Sequence, residues 1–238
     1  MHDCSVITGG GKGIGLAIAR ALAGAGHRVV ICGRDTEVLK AVAQSLADMH
    51  LNGVLPMRCD VANEDEVIAL FELLDGAKLR PAVLVNNAGI GSYKPLVELS
   101  AHEWDAVQEV NVRGAFLCAR EALKRMQANG GGRIVNIGSS VSFRGYPYQG
   151  AYSASKHGLL GLTKVLAMEG AAHGIIVQAV CPGSVDTDLF SQSRPHADRS
   201  ELIRPEDVAE AVLFCLGQKG NAITDLITLR RRDAVPFG

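Results

Sequence analysis

Short apolar runs alternate with longer amphipathic ones along almost the whole chain. The runs at 4–8 (CSVIT), 28–32 (RVVIC), 53–59 (GVLPMRC), 82–86 (AVLVN), 133–137 (RIVNI), 175–180 (IIVQAV) and 225–229 (DLITL) are short and mostly rich in β-branched residues, which predicts strands. Apolar positions at helical spacing predict helices over 14–25, 36–49, 64–74, 103–128, 152–172 and 205–216. Near-continuous apolar strands separated by amphipathic helices belong to a parallel sheet covered on both faces. The expected fold is therefore α/β, one doubly wound domain over 1–238 with a seven-stranded parallel sheet. No internal repeat, low-complexity segment or Pro/Ser-rich linker divides it. The least regular stretch, 183–204 (GSVDTDLFSQSRPHADRSELIR), is polar and without period, and predicts a substrate lid over 184–203.

With 238 residues, 47% of them hydrophobic, the chain can bury a large core. A formal net charge of −1 gives no basis for nucleic acid or an anionic membrane as partner. No signal-peptide pattern precedes the first strand, and no apolar run reaches the ~18 residues of a membrane span, so a cytoplasmic location is expected. Cys4, Cys32, Cys59, Cys118, Cys181 and Cys215 form no C-x-x-C pair and read as reduced thiols. The histidines make no ligand-spaced set, so no metal is expected. No G-x-S-x-G elbow supports a serine hydrolase.

The sequence TGGGKGIG (8–15) closes the first strand and opens the first helix. Gly9, Gly13 and Gly15 permit a sharp turn whose N–H groups face a pyrophosphate at a helix N-terminus. About 20 residues on, a carboxylate at the end of the second strand would hold an adenosine ribose 2′-hydroxyl. This chain reads VVICGRD, with Gly33 at that place and Arg34 after it. A cation there suits a 2′-phosphate, and Lys12 adds a second charge nearby, so NADP(H) is expected over NAD(H). Asp35 comes late for the ribose and reads better as the cap of the next helix.

Tyr152 and Lys156 stand four positions apart in AYSASKHG, on one helix face with only small residues between. Further pieces are NNAG (86–89), NV (111–112), NIGSS (136–140), CDV (59–61) and CPGSVDT (181–187). In order and spacing these motifs resemble the short-chain dehydrogenase/reductase family from about residue 4 to 216. The resemblance implies a Rossmann-type fold and a catalytic set of Asn111, Ser139, Tyr152 and Lys156. Tyr152 would be the general acid or base, with a phenolate stabilised by Lys156. Ser139 would hydrogen-bond the substrate oxygen, with Ser140 as a rival distinguished only by spacing, and Asn111 would hold a water linked to Lys156. The resemblance further implies Gly9, Gly13, Ile14 and Gly15 at the pyrophosphate, with Arg34 at the 2′-phosphate. Asp60 and Val61 would meet the adenine, though Asp60 reads equally as a helix cap. Asn87, Ala88 and Gly89 would flank the adenosine side, Tyr152 and Lys156 the nicotinamide ribose, and Pro182, Gly183, Val185 and Thr187 the nicotinamide.

Substrate candidates are Ser139, Phe143, Tyr146 and Tyr148, with Leu189 and Phe190 of the lid and Gly91, Ser92 and Tyr93 after the fourth strand. An apolar surface with a few polar handles suits a medium-sized carbonyl compound. The tail AITDLITLRRRDAVPFG lacks the glycine pair that ends many relatives acting on 3-oxoacyl carrier protein. The leading expectation is an NADPH-dependent carbonyl reductase. A 3-oxoacyl-thioester reductase and a non-catalytic NADP-binding regulator are the alternatives. The resemblance also implies a homodimer or homotetramer through helices 103–128 and 152–172.

Overall fold

The computed structural model describes residues 1–193 and 198–236. The strands β1 (His2–Thr8), β2 (Val29–Gly33), β3 (Val54–Arg58), β4 (Leu79–Asn86), β5 (Gly132–Ile137), β6 (Ile175–Pro182) and β7 (Leu226–Leu229) form one parallel sheet. Their order is β3-β2-β1-β4-β5-β6-β7, so the winding direction reverses between β1 and β4. At such a reversal the loops leaving the two strands diverge and open a crevice at the carboxyl edge of the sheet.

Why the strands are apolar almost throughout is visible in how they divide their side chains. Successive residues of a strand face opposite sides. Val29 and Ile31 join the core formed with α1 (Gly13–Gly24), α2 (Thr36–Asp48) and α8 (Pro205–Gly217). Val30 and Cys32 join the opposite core, under α3 (Glu64–Gly76), α5 (Ala115–Ala128) and α6 (Gly150–Ala171). In the central strands water is excluded from both faces and no polar alternation is left to read, whereas the edge strands β3 and β7 keep exposed positions. All six cysteines are buried and free.

The helix starts follow local chemistry. Asp35 caps α2, its carboxylate accepting from the Glu37 and Val38 N–H groups. Asn63, not Asp60, caps α3; Asp60 instead accepts from Ala62 N–H in the turn before it. The single helix expected over 103–128 is also corrected. It divides into α4 (Ala101–Gln108), a π-helical turn over Glu109–Gly114, and α5. The wide turn accommodates buried Asn111, whose side chain bonds the backbone of Ile90 instead of facing solvent. Gly114 closes it where a side chain could not fit, since a Cβ there would sit 2.8 Å from Val61 Cγ2.

The expected lid contains a short helix, α7 (Asp188–Ser193), and its base is fastened by a bridge between Val185 and Ile203. Residues 194–197 of the lid, including His196, lie outside the described residues. Among the described residues, no helix is long and apolar enough to cross a membrane.

Candidate active site

The site is assembled from loops at the carboxyl ends of β1 to β6. The turn after β1 and the loop after β4 are tied together by Thr8 and Asn87. Thr8 Oγ1 accepts from the Asn87 and Ala88 N–H groups, both at 3.0 Å. Asn87 Nδ2 donates in return to the carbonyls of Thr8 and Gly9 at 2.9 and 3.1 Å. Gly9 and Gly13 have φ values of 65° and 53°, in the left-handed region that glycine enters at no steric cost. The α1 N-cap residue, Lys12, makes no side-chain capping bond, and no acidic residue lies in the first turn. Helices α2 and α3 each carry a side-chain cap at the same place. An uncapped N-terminus with a glycine turn is a cradle for an anionic group, and the pyrophosphate of a dinucleotide fits it.

The other cofactor candidates stand at the ends of neighbouring strands. Arg34 is exposed just beyond β2, and Asp60 and buried Val61 follow β3. Ala88 and Gly89 follow β4, Pro182 ends β6, and Gly183, Val185 and Thr187 follow it. Thr187 reaches the turn itself, since a Cβ on Gly13 would lie 3.2 Å from its Cγ2. Ile14 is half-buried in the first turn of α1. Lys12 is exposed on the glycine turn and pairs with the lid helix. Its Nζ lies 2.9 Å from Asp188 of α7 in an exposed pair, worth on the order of a kcal/mol or less.

Tyr152 and Lys156 lie in the first two turns of α6. Lys156 is 5% exposed, its Nζ donating to Ile137 O at 2.8 Å and lying 5.8 Å from the centre of the Tyr152 ring. Burial lowers the Lys156 ammonium to about 8, with Cys181 acting the other way. Burial pushes the Tyr152 phenol up to about 12, and a hydrogen bond from Ser139 opposes the rise. Asn111 Nδ2 donates to Ser155 Oγ at 2.9 Å, and Ser155 Oγ donates to Tyr152 O at 2.7 Å. Asn111 thus braces the turn of α6 that carries Tyr152. A Cβ on Gly89 would lie 3.4 Å from Asn111 Oδ1 and 3.7 Å from Lys156 Nζ, so both groups border one small space.

The substrate candidates divide. Phe143, Tyr146 and Tyr148 are exposed on the segment before α6, while Leu189 and Phe190 are half-buried on α7. The ring packed against Tyr152 is Tyr93, with centroids 6.4 Å apart. Burial, then the neighbouring Tyr152, raises the Tyr93 phenol above its ordinary value. Sequence reasoning passed over Ser155, Ser142 and the buried Asn86–Asn136 pair, joined at 2.9 Å. Only the motifs that contain or adjoin them offered a signal.

The family model described as short chain dehydrogenase matches residues 3–198. The chain belongs to the short-chain dehydrogenase family. Among curated relatives, the 3-oxoacyl-acyl-carrier-protein reductase FabG of Aquifex aeolicus (strain VF5) is 38% identical over 232 residues, 92% of each chain. A D-beta-hydroxybutyrate dehydrogenase of Rhizobium meliloti (strain 1021) is 34% identical over 97% of this chain and 88% of its own. Among solved structures, a variant actinorhodin polyketide ketoreductase with NADPH matches at TM-score 0.89 and 34% identity, over 96% of this chain and 95% of that one. The protein is accordingly an oxidoreductase of the short-chain dehydrogenase type, and its seven-stranded sheet is the expected Rossmann-type fold.

One glycine of this short-chain dehydrogenase has no room to change. A Cβ on Gly15 would collide with Gly9 O and sit 2.6 Å from Asn87 Nδ2, both held in the Thr8–Asn87 clamp. Gly15→Ala is expected to weaken nicotinamide dinucleotide binding by roughly tenfold or more, read by fluorescence titration, because the cradle must shift.

Proposed function

We propose that this short-chain dehydrogenase is an NADPH-dependent reductase of ketones or aldehydes, reversible as an alcohol dehydrogenase. The observation that carries the reading is the grouping of Tyr152, Ser139 and Lys156 beside the uncapped glycine turn. Gly9, Gly13, Ile14 and Gly15 hold the pyrophosphate, and Arg34 holds the 2′-phosphate. Asp60, Val61, Asn87, Ala88 and Gly89 border the adenosine. Pro182, Gly183, Val185 and Thr187 border the nicotinamide, with Tyr152 and Lys156 at its ribose. NADPH bound there supplies the hydride. Tyr152 donates its phenolic proton to the carbonyl oxygen, Ser139 Oγ hydrogen-bonds that oxygen, and the Lys156 ammonium stabilises the phenolate left behind. A phenol held near 12 keeps its proton at neutral pH, which supports the role of acid in reduction.

The substrate is a small or medium-sized carbonyl compound. A second reading, reduction of 3-oxoacyl thioesters, is favoured by the 38% identity to the Aquifex reductase and disfavoured by the tail without a glycine pair. Following NADPH absorbance with an acetoacetyl thioester, a diketone, an aromatic ketone, a keto sugar and a pterin separates these readings. Turnover confined to the thioester selects the second; turnover on a free ketone selects the first. NADPH binding without turnover on any of them would count against both.

The functional unit in this proposal is a homodimer or homotetramer in the cytoplasm. Val112, Phe116 and Leu162 line a groove between α5, the π turn and α6, rimmed by Asp105, Glu109 and Arg113. Val165 and Met168 extend the exposed apolar surface along α6. Light scattering at micromolar concentration is expected to return a multiple of the 25.1 kDa chain; a monomeric mass would refute the assembly.

A further inference from the structure

We propose that Ser142 is a positioning residue for the reaction, acting through Ser139; the inference rests on reading Ser139 as the residue that meets the substrate oxygen. Ser139 has extended backbone angles and precedes a single 3-10 turn, Ser140–Ser142. Its own hydroxyl is loosely held from inside the turn, since Val141 N–H lies 3.4 Å from Ser139 Oγ. The backbone that aims this hydroxyl is held more firmly. Ser139 N–H donates to Ser142 Oγ at 3.2 Å, and Ser142 N–H donates to Ser139 O at 2.9 Å. The two serines therefore close a reciprocal box around the turn.

Ser142 is itself anchored from behind. It is 2% exposed, and its Oγ lies 3.9 Å from Cys181 Sγ at the end of β6. The Cys181 sulfur also lies within hydrogen-bonding reach of the Ser139 amide. Gly138 makes this packing feasible, for a Cβ there would collide with Cys181 Sγ and lie 3.1 Å from Ser142 Oγ. Ser142 is thus sealed between the turn and the sheet, where its hydroxyl sets the Ser139 backbone and not a substrate. Among the described residues Ser139, Lys156, Tyr93 and Cys181 face Tyr152; Ser142 touches two of these, Ser139 by hydrogen bonds in both directions and Cys181 at 3.9 Å.

Removing that hydroxyl leaves the Ser139 amide only the Cys181 sulfur, a weak acceptor, and a small displacement of a reacting group costs rate more than binding. Ser142→Ala is expected to lower kcat roughly tenfold with NADPH affinity close to wild type, while the loss of one buried hydrogen bond lowers the melting temperature by only several degrees, about 2–4 °C per kcal/mol. In the oxidation direction, which needs the phenolate, the rise of kcat with pH should move upward, because the Ser139 bond that favours the phenolate is weakened. Ser142→Thr, which keeps the hydroxyl, should recover most of the rate. The deciding comparison is Ser139→Ala against Ser139→Ala/Ser142→Ala. If Ser142 acts only through Ser139, the double variant is within about twofold of the single one. A double variant about tenfold slower, or a Ser142→Ala pH profile that matches wild type, would overturn the proposal. Wild-type activity in Ser139→Ala alone would instead remove the reading of Ser139 on which it rests.

Discussion

Tyr152→Phe is expected to lower kcat for carbonyl reduction by roughly 10²–10⁴-fold while NADPH still binds with near wild-type affinity. The substitution removes one oxygen and keeps the ring, so the packing against Tyr93 at 6.4 Å survives. What is lost is the proton donor that Ser139 hydrogen-bonds. The pH dependence adds a second readout. Lys156 is held at about 8 by burial, so in the free enzyme it is a cation below that value and neutral above it. For reduction, kcat/KM should be level on the acidic side and fall as pH rises through about 8, where the charge supporting the phenolate is lost. Tyr152→Phe should abolish that alkaline limb along with the rate, because no phenolate remains to be stabilised. Steady-state NADPH oxidation across pH, paired with fluorescence titration of NADPH, makes both measurements. Near wild-type turnover in Tyr152→Phe would refute the assigned acid, and a limb that persists in the variant would refute the role of Lys156.

Much of this site was legible before the structure because its residues lie at strand ends. A parallel strand delivers its last residues to the carboxyl edge whatever its partners, so the turn at 8–15, NNAG and NIGSS had one place to go. Three kinds of feature were hidden. The first depends on a tertiary bond: the π turn at Glu109–Gly114 exists where Asn111 holds Ile90, and helical spacing through 103–128 carries no trace of the widened register. The second depends on a choice between near-equal local options, as when Asn63 rather than Asp60 caps α3. The third is length, since α7 is six residues long, less than two turns, and shows no period. Ser142 belongs to the first kind. Its partner Cys181 is on a strand far along the chain, and a serine beside two others in SSVS offered nothing to separate it.

Arg34→Glu should reverse the cofactor preference. The expected result is a loss of roughly 10²–10³-fold in kcat/KM for NADPH, against a change of about threefold or less for NADH. Gly33 offers no carboxylate for a ribose hydroxyl, and Asp35 is committed, its Oδ1 accepting from Glu37 N–H at 3.0 Å and Val38 N–H at 3.1 Å. Arg34 between them is exposed and makes no ion pair among the described residues, so its guanidinium is open to a 2′-phosphate. Charge-assisted bonds to a phosphate contribute about 1.5–3 kcal/mol, and a carboxylate in their place adds repulsion to the loss. Lys12 cannot supply the whole replacement, because its ammonium is shared with Asp188 at 2.9 Å. Lys12→Ala should therefore cost less than Arg34→Glu with NADPH and leave NADH nearly unchanged. Kinetics with the two cofactors in parallel decide the point: equal losses for NADPH and NADH in Arg34→Glu would mean that the arginine supports the fold or the adenine, and that the phosphate is read elsewhere.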